Sequence, residues 1–457
     1  LTDPEQADRA WCSMDGIRMD PRTGQPVETA KHDYLYAYGT QLAFRVRMDL
    51  QDIRPSDLEA VSVFFHLLQD FQAGDIPLGG EKTSGFGWVQ ARMKGLEWLT
   101  GDEKGVTQTL FGEKKLEPKG VWRALNLSGD EAANALAPSR KIRSEQKGSA
   151  VPPPTARAGF ISHRSFGGYC GMLAVEAEAL TPVHIKESGE PSFSATLAEG
   201  PVNGWDFFSM APPEADRRPD DRMYALPSRS LKGMLRHIYA IAADADQESK
   251  DLGSLNPADS LFGWVGDGPN QALMGRLSFD FGAFETPKLG WFKVPYPYGN
   301  WRYTGSEWQQ TPGKSAEVYQ VKKNWRLFPH APRPPVAARI DEFAPDAVQA
   351  GYFRAVLPGE RARFKIRFWN LLEEEMQRLL WCVSLEPGKS LIICNHRYLG
   401  FGSMRLSLQK ESHFIDWGER YAGADAQKWR KPIQVRIDTK VIRNYNALKK
   451  GLDAQHL

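Results

Sequence analysis

Three carboxylates sit in settings where they could move a proton. Asp20 lies in GIRMDPRTGQPVE (Gly16–Glu28), where Asp20, Pro21, Thr23 and Gly24 read as a hairpin or loop tip with Arg18 and Arg22 beside it. Asp220 and Asp221 lie in RRPDDRMY (Arg217–Tyr224), clustered with Asp216 and with Arg217, Arg218 and Arg222. A ribonuclease that needs no metal could use one such Asp to position or deprotonate a 2′-hydroxyl. An Asp-Pro turn and a charged surface loop account for the same residues without chemistry.

Cations and glycines supply the second kind of chemistry. In LPSRSLKGMLRH (Leu226–His237), Pro227 ends an extended segment and Ser228 or Ser230 can cap the helix that follows. The free N–H groups and positive end of such a helix favour an anion. Arg229, Lys232 and Arg236 surround it, and Lys232 and Arg236, four apart, share a face. The segment reads as a phosphate grip or as an ordinary capped helix with solvated basic residues. In LGGEKTSGFGWV (Leu78–Val89), Gly79, Gly80, Gly85 and Gly87 permit close backbone approach and Lys82 adds charge. No Lys-Ser or Lys-Thr follows Gly85, so this is not a Walker A loop. It opens a strand and not a helix, so it is not a dinucleotide fingerprint. A tight structural turn is the alternative. LTPVHIKESGE (Leu180–Glu190) offers His184 and Lys186 for RNA contact, although a lone His is as readily structural. Fourteen Trp, 14 Tyr and 23 Phe could stack on bases, and most are expected in cores.

An internal repeat must position these residues. One copy runs from Gly39 to Val89 and the other from Gly359 to Leu406. Each opens with an alternating strand: Leu42, Phe44, Val46 and Met48 in the first, Phe364, Ile366 and Phe368 in the second, with basic residues between them. A helix follows, predicted to start at Ser56 with Glu59 as a capping box in copy one, and near Asn370 in copy two. A glycine loop and a last strand close each copy; the second loop is YLGFGSMRL (Tyr398–Leu406), with Gly400, Gly402 and Arg405. Strand, helix, glycine loop and strand make half of a βαββαβ ferredoxin-like fold. The matching first half precedes copy two, as a strand at Leu173–Leu180, a helix from Ser230 to Ala242 and a strand at Gly275–Phe281. The predicted class is therefore α+β.

The expected organisation is a C-terminal half-domain with a thumb-like loop over residues 1–100, a linker over 101–165, a complete domain over 166–410 with an irregular insertion over 283–350, and an extension over 411–457. The chain has 457 residues, 41% apolar and 25% charged, with no apolar run long enough to span a membrane. Its first residues have neither a basic nor an apolar signal region, and no initiator Met, so it reads as a piece of something longer or a processed product. A net charge of +2 excludes an all-over basic coat but allows local basic stripes. Cys12, Cys170, Cys382 and Cys394 form no CxxC pair, which argues against a zinc ribbon and for buried thiols in a reducing cytoplasm. A half-domain with uncovered apolar faces predicts poor solubility for the isolated chain.

Together these segments resemble the RAMP superfamily of CRISPR-associated proteins. LPSRSLKGMLR is similar to the family's Ser-Leu-Lys-Gly-type motif, with Ser228 and Arg229 in place of the usual Gly-Ser. LTPVHIKESGE resembles its Thr-Pro-Leu-His-Ile-Gly segment, with Lys186 at the Gly position. LFGWVGDG…GRLSFDFGAF (Leu261–Phe284), the two glycine loops, GIRMDPRTGQPVE and NWRLFPHAP also match in family order. The resemblance implies RRM-like, ferredoxin-like RAMP domains and the C-terminal part of a fused multi-RAMP effector of the type III-E giant kind. It implies that guide RNA lies along the fold while a thumb displaces a base of the single-stranded target RNA. RNA-binding residues carried over are Arg18, Arg22, Gly79, Gly80, Lys82, Gly85, Gly87, His184, Lys186, Arg229, Ser230, Lys232, Gly233, Arg236, Gly400, Gly402 and Arg405.

Type III backbone subunits cut target RNA with an Asp, which makes Asp20 the first catalytic candidate and Asp220 and Asp221 the next. No cofactor is strongly implied, and a divalent metal for RNA cleavage is compatible with the reading. Implied partners are guide RNA, target RNA, other RAMP domains of the effector and, as in type III-E systems, a caspase-like protease; no membrane is involved. The expected location is the prokaryotic cytoplasm. Alternatives are a non-catalytic scaffold, and a guide-processing endoribonuclease with His184 or His237 as suspects. A nucleotide-binding ferredoxin-like enzyme lacks a phosphate loop.

Overall fold

The computed structural model describes residues 11–19, 26–37, 44–89, 91–99, 122–124, 136, 160–163, 167–187, 189–198, 200–210, 222–295, 301–310, 319–322, 325–340, 350–393, 396–421 and 426–457. The fold is mixed α+β. The elements that position the candidate site begin with a hairpin, β1 (Trp11–Met19) and β2 (Pro26–Ala37), and the helix α1 (Leu58–Gln72). Strands β3 (Tyr169–Ala179), β4 (Phe193–Leu197), β5 (Gly200–Trp205) and β6 (Ala225–Leu226) follow, then helices α2 (Ser228–Ala242) and α3 (Pro257–Phe262). Next come β7 (Leu277–Phe279), β8 (Gly282–Phe284), β9 (Leu289–Pro295), β10 (Ala338–Ile340), β11 (Ala350–Val356), β12 (Arg361–Leu371) and α4 (Glu373–Val383). Strands β13 (Leu391–Ile392), β14 (Ser403–Leu408) and β15 (His413–Ile415) and the helix α5 (Tyr445–Gly451) complete the set.

One sheet carries the core. Its order is β13, β14, β3, β12, β8 and β6, with β7 also paired to β12. The pairs β14–β3, β3–β12 and β12–β7 are all antiparallel. Alternation explains the burial. Leu173, Val175, Ala177 and Ala179 of β3 and Ala362, Phe364, Ile366 and Phe368 of β12 point into one core. Arg361, Arg363 and Lys365 stand exposed on the other face. Helices α2 and α4 cover the apolar face through Leu231, Leu235, Ile238, Met376, Leu379 and Val383.

Arg276, fully buried, locks this layer. It makes two hydrogen bonds to the Glu375 carboxylate, at 2.7 and 2.6 Å, and a third to the Asn370 carbonyl at 2.7 Å. The arginine of the GRLSF segment is thus a structural anchor for the start of α4.

A second sheet, β10–β9–β11–β5–β4, contains strands from the stretch expected to be an irregular insertion. That expectation is corrected for its ends: β9 pairs antiparallel with both β10 and β11, and β11 runs parallel to β5. Within the expected linker, Leu136 is buried against Val61 and Phe65 of α1.

The internal repeat is visible in backbone angles. In copy one, Asp52 (φ 54°) precedes the helix, and the Arg54 N–H donates to Asp57 Oδ2 at 2.9 Å. In copy two, Asn370 (φ 56°) precedes α4, and the Leu372 N–H donates to Glu375 Oε2 at 2.9 Å. The cap of the first helix therefore falls on Arg54 and Asp57, not on Ser56 and Glu59: Pro55 opens a short 3-10 turn that moves the start upstream. Both glycine loops wrap a three-residue 3-10 turn, Lys82–Ser84 or Arg397–Leu399, between left-handed residues.

Copy one departs from expectation in one respect. Residues 44–50 form no strand, and Phe44, Val46 and Met48 are 56%, 59% and 50% exposed. The equivalent strand β12 exists because β3 and β7 supply its hydrogen bonds; among the described residues nothing pairs with 44–50. Also among the described residues, no helix is long and apolar enough to cross a membrane.

Candidate nucleic-acid interface

The glycine loop of copy one and the basic start of α2 meet face to face. Ser228 is buried, and its hydroxyl donates to the Ser84 carbonyl. Ser278 donates to the Lys82 carbonyl at 2.6 Å. Arg229 pairs with Glu81 at 2.9 Å and lies 3.7 Å over the Tyr34 ring. Lys232 donates to Thr83 Oγ1 at 3.2 Å. Burial pushes the Lys232 pKa down to about 8, with Arg236 adding to the fall and Glu81 opposing it. Arg236 itself binds Asp259 of α3. Only a glycine fits at position 85. A Cβ there would stand 2.5 Å from the Phe279 carbonyl oxygen, and φ is +82°. Cations that the sequence offered to phosphate are thus engaged at the junction between the two units.

The hairpin β1–β2 anchors on the same side. Its register runs from Trp11 opposite Ala37 to Met19 opposite Pro26. Arg18 lies on β1, while Asp20 and Arg22 lie outside the described residues. At the foot, Met14 is buried against Phe208, Met210 and Ala225, and the Tyr36 hydroxyl donates to the Met210 carbonyl at 2.8 Å. Phe86 of the glycine loop packs edge-on to Tyr36, with ring centroids 5.2 Å apart.

Next to that foot is a cluster built around Asp206. Residues 185–187 pair with 206–208 through Phe208 N–H to the Ile185 carbonyl and Glu187 N–H to the Asp206 carbonyl. The Asp206 carboxylate, 3% exposed, accepts from Arg222, from the Tyr224 hydroxyl at 3.2 Å and from Arg354 at 3.4 Å. Arg354 also donates to the Tyr224 hydroxyl at 3.2 Å. Burial first, and Asp206 second, push the Tyr224 hydroxyl pKa up, so it remains a protonated donor. Two guanidinium groups share this carboxylate, and the buried Glu187 carboxylate of the paired segment accepts from the Ser209 N–H at 2.8 Å. Arg222 and Arg354 are 16% and 32% exposed, enough to reach a ligand at the surface. Separately, exposed Lys186 places its ammonium 4.2 Å over the Trp205 ring. Fixed guanidinium groups suit phosphate oxygens.

The other sequence-predicted residues are dispersed. His184 is buried, donates Nδ1–H to the Arg354 carbonyl at 2.8 Å, and packs against Phe353 with ring centroids 4.6 Å apart. Burial pushes its pKa down to about 3, so at neutral pH it is an uncharged ring supporting the Arg354 backbone. Gly79, Gly80 and Lys82 are exposed, and Gly87 is half-buried. On α2, Ser230 is half-buried and Gly233 exposed. Gly400 and Gly402 are buried; Arg405 is exposed on the sheet face, 3.7 Å from Glu178. Asp220 and Asp221 lie outside the described residues. Among the described residues no three His, Cys, Asp or Glu side chains group as metal ligands. A separate cavity of about 550 Å³ lies between Thr181–Pro182 and the insertion, lined also by Phe292, Arg333, Arg339 and His456.

Sequence reasoning missed Asp206 and Arg354 as members of one site. They come from the end of β5 and from β11, which pair in parallel, and no local spacing announces that meeting. The cue available was Arg222, which sits in the charged segment before α2.

A scan against protein-family models and a search of curated proteins both return no match. Among solved structures, the chain is similar to one described as a Type IV-B CRISPR Complex, with 13% identity and a TM-score of 0.27 over 52% of this chain and 91% of that one.

Proposed function

We propose that this chain is part of a type III CRISPR RNA-guided effector, in which stacked ferredoxin-like RAMP units bind guide RNA and target RNA. The strand order β14, β3, β12, β7 with α2 and α4 on one face supports a ferredoxin-like reading of the second unit. The observation that carries the proposal is the junction. Two segments singled out for family motifs, the first glycine loop and the Ser-Leu-Lys-Gly helix start, meet through Ser84–Ser228, Glu81–Arg229 and Thr83–Lys232. A repeat whose loop docks on the next unit's helix builds a stack, and a stack offers RNA a periodic surface.

The RNA contact falls to Arg222 and Arg354, with Lys186 as a separate cationic contact, and these hold backbone without reading sequence. Specificity then travels with the guide. Cleavage falls to Asp20, next in sequence after Met19, and would position or activate the 2′-hydroxyl for attack on the adjacent phosphate. Asp220 and Asp221 are the second candidates. Such an effector works in the prokaryotic cytoplasm, with further RAMP domains and, in the type III-E case, a protease as partners.

A non-catalytic scaffold is the second reading. It is favoured by the engagement of Arg229 and Lys232 in contacts within the protein rather than at an open surface. Guide processing by His184 receives no support from a buried ring whose pKa is held at about 3. Paired variants separate the readings. In the intact protein, Asp20→Ala should abolish target cleavage and keep guide binding, while Arg354→Ala should weaken RNA binding itself. Unchanged cleavage by Asp20→Ala would remove that assignment and pass it to Asp220 and Asp221; cleavage unchanged by substitution of all three would leave this chain as the scaffold.

A further inference from the structure

We propose that the exposed face of residues 428–450 is a second polyanion surface, a cationic ribbon that takes the phosphodiester backbone of single-stranded RNA. It shares no residue with the Asp206 cluster and requires neither that cluster nor cleavage.

Charge is concentrated here. Residues 427–450 hold eight of the chain's 58 Lys and Arg but one of its 56 Asp and Glu, a net +7 in a chain of net +2, which leaves −5 for the rest. All eight cations are exposed. Lys431, Arg436 and Lys440 make no ion pair with a described residue. The one carboxylate, Asp438, accepts from the Lys440 backbone N–H at 2.9 Å. On the adjoining α4, Glu374 is committed to Arg378 at 2.6 Å.

The ribbon is held in place rather than trailing. Arg430–Pro432 pairs antiparallel with β15. Ile433, Val435, Ile437 and Val441 turn inward onto the main core. The Arg378 Nε–H donates to the Val441 carbonyl at 2.8 Å, and the Asp438 N–H donates to Gln377 Oε1 at 2.9 Å. Near the end, the Arg443 N–H donates to the Ala242 carbonyl of α2 at 2.7 Å. The Arg430 guanidinium lies 4.8 Å over the Trp429 ring. Like charges fixed side by side repel one another, a cost that a polyanion relieves.

Two further features select the occupant. No large apolar side chain is exposed between 427 and 450; the residues exposed among the cations are polar or Pro432. A protein partner needs an apolar or aromatic centre to bury, whereas backbone phosphates need only cations. Length excludes a small anion. The alternating burial from Pro432 to Asp438 is that of extended chain, in which Arg430 and Arg436 stand about 20 Å apart.

The test uses the nuclease-treated full chain and a labelled oligouridylate of about 15 nucleotides, titrated across a salt series. Combined Arg430→Gln, Arg436→Gln and Lys440→Gln should weaken binding about tenfold or more and lower the log–log salt slope by about 2, three contacts at about 0.7 each. The same drop should appear on top of Arg354→Ala, because the two surfaces are separate. A triple variant with the parent's slope would overturn the proposal. If Arg354→Ala binds as the parent does while the triple variant is weakened, the Asp206 cluster loses its RNA role and the ribbon stands. Polyglutamate at equal charge concentration should compete poorly; competition equal to that of unlabelled RNA would assign the ribbon to an acidic protein and overturn the proposal. Acetylation of the unsubstituted protein gives a readout free of any folding defect. Oligouridylate should protect Lys431, Lys440 and Lys449, and unchanged reactivity at all three would overturn the proposal.

Discussion

Gly85 and Gly400 hold the same left-handed conformation, φ 82° and 80°, yet press on different neighbours. A Cβ on Gly85 would strike the Phe279 carbonyl oxygen of the second unit, whereas one on Gly400 would stand 2.6 Å from the carbonyl oxygens of Ala331 and Pro332. One turn design thus docks a unit on its successor in the first case and on the unit's own insertion in the second. Gly85→Ala adds backbone strain and a clash at once, and should destabilise the junction by about 1–3 kcal/mol. Faster amide exchange at the start of α2, with α4 unaffected, is the expected readout; unchanged exchange at Ser228–Leu231 would contradict it.

The Arg276–Glu375 pair should be among the costliest to break. Arg276→Ala leaves a carboxylate buried beside α4 with only the Leu372 N–H to satisfy it. The expected loss is about 3–5 kcal/mol of unfolding free energy, measured by denaturant titration. A loss under about 1 kcal/mol would mean that the core tolerates the charge by relaxing.

Acid should loosen the second unit. His184, His330 and His396 are held neutral by burial, with pKa values pushed down to about 3, about 4 and about 4 from an ordinary 6.5. Below pH 6.5 the unfolded chain takes up protons that the folded chain refuses, so stability falls as pH falls toward 4. Each ring contributes a slope of up to about 1.4 kcal/mol per pH unit. Unfolding curves between pH 7 and 4.5 check this, and His330→Gln, placed between Ser403 and the Ser390 carbonyl, should flatten the dependence.

The Asp206 cluster predicts how RNA affinity depends on salt. Lys186→Ala and Arg354→Ala should each weaken single-stranded RNA binding, and each lost phosphate contact should reduce the log–log salt slope by about 0.7. Asp206→Asn should unfold or distort the cluster before it affects the slope, because Arg222 and Arg354 would lose their shared anchor. Salt slopes identical to the parent in both cationic variants would place the RNA elsewhere.

What the sequence made legible follows from where the physics is local. Alternation at Phe364, Ile366 and Phe368 and helical spacing at Leu231, Leu235 and Ile238 each encode one face, and both elements formed where the pattern lies. The same alternation at Phe44, Val46 and Met48 produced no strand, because a ladder needs a partner that pattern alone cannot supply. The basic helix start was readable as a cluster of cations, but not its engagement: Glu81 and Thr83 reach Arg229 and Lys232 only through tertiary docking. Asp206 and Arg354 were illegible for the same reason, since they meet through a parallel strand pair. Fold periodicity is written in neighbouring residues, whereas a site assembled from distant strands is not.

The central claim is most directly tested by purifying the intact protein in its native assembly and sequencing the RNA that comes with it. A single class of RNA, carrying one constant repeat-derived tag and variable spacers, is the predicted result. No RNA, or random RNA that washes away in moderate salt, would contradict the guide-bound reading.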